Sequence, residues 1–137
     1  MRSIFDAVKN IRAIDPIAAS AAQTSATIDT KGFNSGGVVV VNGVATGSPS
    51  SYTIDAKVQH CDTSGGSYTD VAGASITQII ADSNIATIRL SGFGTSLKRY
   101  IKIIVTPALT GGSSPKALIG ATVQLGRAER EPVGNTQ

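Results

Sequence analysis

His60 and Cys61 stand side by side at the end of the segment SYTIDAKVQHC, and they are the sole imidazole and the sole thiol in 137 residues. In contact, such a pair would make a thiolate nucleophile and its base. The residues from Ser51 to His60, however, alternate between apolar and polar types, the period of a β-strand. Neighbours in a strand project to opposite faces, so these two cannot share a hydrogen bond. They read instead as a strand-end imidazole and a small, half-buried thiol. SGFGTS at 91–96 holds a Gly-x-Gly, but a third glycine is missing and a strand follows. Dinucleotide binding sets the pyrophosphate on a helix N-terminus, so this segment reads as a turn. DTSGGSYTD at 62–70 suggests a calcium loop, yet it lacks the EF-hand spacing and its closing Glu. An Asx-type turn is the better reading. Tyr52 and Tyr68 are candidates for a sugar-stacking face, but such platforms need several coplanar aromatics, and the chain has three Tyr, three Phe and no Trp. Arg89, Arg99 and Lys102 read as solvated strand-face residues. The expectation is a non-enzyme with no catalytic residue, no cofactor and no metal.

Composition points the same way. Charged residues make up 15% of the chain, against roughly 25% in ordinary soluble domains, and Ser, Thr, Gly and Ala fill the gap. Uncharged polar groups cost far less to desolvate than ions, so the outside of this protein is suited to packing against neighbours. The net charge of +3 comes from scattered residues, apart from Lys98, Arg99 and Lys102. Without a basic run interleaved with aromatics, no nucleic-acid partner is expected. Arg2, Asp6, Lys9 and Arg12 interrupt the N-terminal apolar pattern, so it is not a signal peptide. No stretch approaches the 18 or so apolar residues of a membrane span, and no membrane partner is expected. One cysteine excludes an intrachain disulfide, which fits synthesis in a reducing host cytoplasm.

The elements that must carry these residues fall into three parts. In an N-terminal arm, residues 1–23, Ile4, Val8 and Ile11 share one helical face, with Phe5 and Ile14 at its margins. Ser3 and Asp6 resemble a capping box and Pro16 forbids continuation, so the spacing predicts a helix over about 4–12. A helix this short is marginal unless it docks, which makes Ile4, Phe5, Val8 and Ile11 the expected partner-binding residues. Residues 24–126 read as strands: 26–30, 38–44, 51–60, 68–71, 76–81, 85–91, 97–106 and 117–126, with KGFNSGG and TPALTGGSSP as loops. The run VVVV at 38–41 suits a central strand covered on both faces. Segments 76–81 and 85–91 are expected to pair across the Asp82-Ser83-Asn84 turn. Residues 127–137 form a polar tail. Short strands at this spacing predict an all-β, two-sheet antiparallel sandwich, jelly-roll-like, with a short N-terminal arm or helix. Pattern alone does not separate a jelly-roll order from an immunoglobulin-like one.

Longer stretches carry a family likeness. VQHCDTSGGSYTDVAGA (58–74) joins a strand, an acidic Gly-rich turn, an aromatic and Thr-Asp-Val. In residues 86–133, Lys-Arg-Tyr is followed by a branched-aliphatic strand, a threonine-proline loop and a final Gly-Ala-x-Val strand. With IFDAVKNIRAIDPIA and TIDTKGF near the start, the chain resembles the capsid decoration, or cement, proteins of tailed bacteriophages over most of its length. The resemblance implies a sandwich that binds the outside of a shell of major capsid protein and stabilises it, with no catalytic residues to carry over. It implies self-association as a small symmetric oligomer; a homodimer is expected because two-fold closure is commonest, with a trimer as the alternative. The location implied is the capsid exterior of the virion. The rival readings are a tail-associated sandwich and a carbohydrate- or receptor-binding module.

Overall fold

In the computed structural model, which describes residues 8–91 and 97–128, each regular element is a β-strand. In chain order they are β1 (Val8–Ala19), β2 (Gln23–Thr24), β3 (Ile28–Asp29), β4 (Phe33–Asn42), β5 (Ser51–Cys61), β6 (Thr69–Ser75), β7 (Ile85–Ser91), β8 (Tyr100–Thr110) and β9 (Ala117–Ala128). One sheet has the order β1-β9-β4-β7; the other has β2-β8-β5-β6, with β3 also pairing β8. All pairings are antiparallel. Four of them nest: β1 with β9, β2 and β3 with β8, β4 with β7, and β5 with β6. That is a long hairpin rolled up, and the β4–β9 and β5–β8 pairings close it into two sheets. Counting β2 and β3 as one interrupted strand, this is the eight-stranded jelly roll, so topology decides what pattern left open.

Alternation fills the space between the sheets. Ile54, Ala56 and Val58 of β5 and Ile101, Ile103 and Val105 of β8 are buried. From the other sheet, Val38 and Val40 of β4, Ile88 and Leu90 of β7, and Ile119, Ala121, Val123 and Leu125 of β9 meet them. Burying one such aliphatic side chain contributes roughly 1.5–3 kcal/mol. In 51–60, 97–106 and 117–126 the alternate apolar residues are the ones that face inward.

The expected helix over 4–12 is corrected where it can be seen: Val8–Ala19 is β1. It pairs β9 from Val8–Gly126 to Ala19–Ala117, with register shifts between Arg12 and Ile14 and between Ile14 and Ile17. The second irregularity lies at Pro16, which has no N–H to give a ladder. A nine-residue helix is barely stable alone, whereas the same residues as a strand cover the edge of β9 and bury Ile14 and Ala19. Ile4 and Phe5 lie outside the described residues.

Three further expectations change, the first at KGFNSGG, where β4 already begins at Phe33 rather than leaving a loop. Segment 76–81 does not form a hairpin with β7: Ile79 exchanges backbone hydrogen bonds with Ile54 of β5 (2.8 and 3.0 Å), while β7 crosses to β4 in the register Val41–Ile85. The buried Asn42 side chain holds this crossing. It donates to the Ala81 carbonyl at 2.9 Å and accepts from the Asn84 N–H at 2.8 Å. The loop at TPALTGGSSP is also shorter than expected, since β8 runs on to Thr110. Pro107 is tolerated within it because its partner Ile54 turns its own N–H and carbonyl toward Ile79. That makes Ile54–Pro107 a pair without ladder bonds, and no donor is missed. The turn that follows needs glycine: Gly112 has φ +77°, and a Cβ there would lie 2.3 Å from the Gly47 carbonyl oxygen.

Candidate interaction surface

The strand geometry separates the residues that could do chemistry. His60 shares the inward parity of Val58 and lines a cleft with Leu90 and Leu97. Its Nδ1 accepts the Lys98 N–H at 3.1 Å. Burial, then the nearby Lys98 ammonium, holds the imidazole below its ordinary value, against a smaller upward pull from Asp62. Cys61 points the other way, with Sγ 3.8 Å from the Thr63 hydroxyl. Its thiol is lowered first by the Thr63 N–H. The two side chains are therefore not brought together. Among the described residues, no group of three or more His, Cys, Asp or Glu is placed to hold a metal.

The turn DTSGGSYTD is tied to its own neighbourhood. The Tyr68 hydroxyl donates to the Ser64 carbonyl at 2.9 Å, and Asp70 accepts from Gln59 at 2.8 Å and pairs with Lys57 at 3.1 Å. Lys102 sits 4.5 Å from the centre of the Tyr68 ring, covering the face a sugar would need. Tyr52 is half-buried, and its hydroxyl donates to Asp82. Burial first, and that carboxylate second, push its phenol up to about 12. Arg99 forms a two-pronged pair with Asp29, both contacts at 2.8 Å, and lies over Tyr100. Arg89 sits on β7, in the other sheet. The structure does not gather Arg89, Arg99 and Lys102 into one patch.

The two sheets turn very different faces outward. On the second sheet, Asp55, Lys57, Gln59, Asp70 and Gln78 satisfy one another in hydrogen bonds and an ion pair. The outer face of the four-stranded sheet is nearly uncharged. Arg12, paired to Asp15 at 2.5 Å, and Arg89 are joined there by Thr87, Thr122, Gln124, Ser35 and glycines. One end of it is apolar. Leu118 in β9, Val41 in β4 and Ile85 in β7 turn outward in a row across three strands, with Ala18 of β1 beside Leu118, because Leu118 pairs with Ala18 and Val41 pairs with both Gly120 and Ile85. Ile17 pairs with buried Ile119, so it has the inward parity but stays exposed on the edge strand. Ile17, Val44 and Ile80 are also exposed, the last two outside the strands. These six are the large apolar side chains most exposed in the described structure, with Ile80 at 71%, Ile85 at 70% and Val44 at 59%. Between Pro16, Ile17, Val41 and Leu118 lies a shallow groove floored by Gly43 and Gly120.

Of the residues expected to bind partners, Val8 and Ile11 are half-buried in β1, and Ile11 packs against the core. Sequence reasoning missed the row at Val41, Leu118 and Ile85. A signal existed in VVVV: Val38 and Val40 are buried as expected, but Val39 and Val41 face outward, and Val41 is 41% exposed. The chain described here does not cover that second face.

No protein-family model matches the chain, and none of the curated proteins is similar to it. Several solved structures are. PBSX exported protein XepA superposes over 100% of this chain and 42% of its own, with TM-score 0.62 and 10% identity. The VP2 subviral particle of infectious bursal disease virus matches 89% of this chain and 33% of its own, with TM-score 0.56 and 16% identity. PNGase F, a glycosylasparaginase from Flavobacterium meningosepticum, matches 88% and 42%, with TM-score 0.53 and 10% identity. These likenesses show the fold alone. The chain spans less than half the length of each, and one of the three is an enzyme, so function must be argued from the surface.

Proposed function

We propose that this chain is a structural virion protein that binds the outer surface of a tailed-phage capsid and stabilises the shell. The observation that carries this reading is the exposed apolar row on an almost uncharged sheet face of a rigid jelly roll. Apolar surface gathered in this way marks protein–protein contact, and the residues around it are cheap to desolvate. The resemblance to cement proteins in residues 58–74 and 86–133 supplies the phage context, and VP2 is an instance of this sandwich in a viral particle. In this reading the major capsid protein is the partner, and Ile4, Phe5, Val8 and Ile11 remain the residues proposed to take part in binding it. Neither nucleic acid, a membrane nor a cofactor takes part. Binding only the assembled shell stabilises that shell by mass action.

The test is to mix the purified chain with phage heads that lack it, follow co-sedimentation, and measure the temperature at which the heads release DNA. Saturable binding and a raised release temperature are expected. Heads that neither bind the chain nor gain stability would overturn the proposal. Binding to tails or to host glycans instead would favour one of the rival readings. Tyr52 and Tyr68 argue against the glycan, since one is tied to Asp82 and the other is covered by Lys102.

A further inference from the structure

We propose that the free edge of β7 accepts an extended segment of a partner protein as an added β-strand. The inference goes beyond the capsid reading and does not rest on it. Among the described residues β7 pairs with β4 alone and ends its sheet. Asn42 donates its N–H to the Asn84 carbonyl at 3.1 Å, and the register continues from Val41–Ile85 to Ser35–Ser91. Ladder bonds alternate along such a pair, so Ala86, Ile88 and Leu90 turn their backbone groups to β4. Those of Ile85, Thr87 and Arg89 point to the open side. A row of free N–H and C=O groups is a template for another strand.

The other three sheet edges are interrupted. β1 carries Pro16 and two register shifts, and β2 and β3 have two residues each. β6 pairs across a register shift between Lys57 and Gln59, and its Gly73 has φ +76°. Shortness, bulges, prolines and lysines are the devices that blunt an edge. β7 keeps one register with β4 over seven residues and contains neither proline nor lysine.

The seam beside β7 suits the side chains of an added strand. A cleft of about 420 Å³ lies by Ala86, against Ile79 and Ile80. A second, of about 480 Å³, lies by Leu90, against Val71 and Leu97. Residues of the new strand opposite Ala86 and Leu90 enter these clefts, four positions or about 13 Å apart. On the outer side, Arg89 has no ion-pair partner among the described residues, and a carboxylate opposite it on the new strand would pair with it. The occupant is therefore an extended segment, apolar at alternate positions on one face and acidic on the other.

This sequence does not supply that segment. From β1 to a place beyond β7 is four strand spacings, about 19 Å, which uses about six of residues 1–7 at full extension. The tail EREPVGNTQ spends about four residues on three such spacings and has one aliphatic side chain, Val133. The β7 of a second copy cannot fill the clefts, because its Ile88 and Leu90 are buried in its own core.

NMR on the isotope-labelled full chain tests this with a blocked seven-residue peptide of valines alternating with threonines, one threonine replaced by glutamate. It should bind with Kd below about 1 mM, and it should shift the amides of Thr87 and Arg89 most and slow their exchange. The same peptide N-methylated where its N–H groups face β7 keeps its side chains, yet should bind at least about tenfold more weakly. Thr87→Pro removes a donor on the open side and no bond to β4, so it should fold as the wild type does and weaken binding by at least about tenfold. If that variant fails to fold by circular dichroism, the methylated peptide carries the test. No binding of the unmodified peptide at about 5 mM would overturn the inference. So would equal binding of the methylated peptide, retained binding by the folded variant, or shifts centred on Val41 and Leu118. Thr87 and Arg89 amides already protected in the free chain would show that this chain fills its own edge, which would also overturn it.

Discussion

His60 is where single-residue chemistry reaches the stability of the whole. Its Nδ1 accepts the Lys98 N–H only when unprotonated, and burial also favours the neutral ring, so its value is lower in the folded state than the ordinary 6.5. Protonation then favours the unfolded chain. The contribution is fully present above about 6.5 and is lost as pH falls through the folded value. Asp29, Asp70 and Asp82 are also held low, first by their hydrogen bonds to Arg99, Gln59 and Tyr52 respectively. Their contributions are present above about 3.9 and are lost below it. Urea melts across pH should therefore show two separate losses on acidification, and His60→Gln should abolish only the first. Asn42 makes a different prediction. Its side chain is buried and satisfies the Ala81 carbonyl and the Asn84 N–H, so Asn42→Ala strands both and should cost about 1–3 kcal/mol. Chemical denaturation measures this. A change below about 0.5 kcal/mol would mean that water replaces the amide.

At the scale of elements, β1 decides what truncation does. It covers β9 from Ala117 to Gly126 and adds Ile14 and Ala19 to the core. Deleting residues 1–20 should give an unfolded or aggregating protein, because β9 is left with a bare edge over an opened core. Deleting residues 2–7 removes Ile4 and Phe5 and leaves β1 whole. That variant should melt as the wild type does while losing occupancy on heads. Circular dichroism and co-sedimentation together separate the two. Within the strands, Leu125→Ala should cost about 2–5 kcal/mol, and the exposed Ile80→Ala less than about 0.5 kcal/mol. Equal losses at the two positions would contradict the burial pattern.

For the whole molecule, the contrast between its two outer faces sets the expected response to salt. Screening weakens exposed charge pairs and hardly touches neutral, buried contacts. Raising ionic strength several-fold should therefore leave attachment to heads nearly unchanged, as read by sedimentation. Release by moderate salt alone would give the Arg99–Lys102 side of the second sheet the leading role.

The sequence by itself determined which side chains face inward in β5, β8 and β9, because alternation is a local property with a period of two. For the same reason it separated His60 from Cys61. It also determined that charge would be scarce outside. It did not determine partners. The i, i+4, i+7 spacing of Ile4, Val8 and Ile11 suits a helix, and over a short apolar run periodicity does not distinguish helix from strand. Only the open edge of β9 made Val8–Ala19 a strand. Nor could local pattern show that Ile85–Ser91 leaves segment 76–81 and crosses to β4, a choice made by the nested pairing of the roll and by Asn42. The apolar row belongs wholly to the tertiary structure. Val41, Ile85 and Leu118 are distant in the chain and unremarkable singly, and they become one surface only because β9, β4 and β7 lie side by side in register.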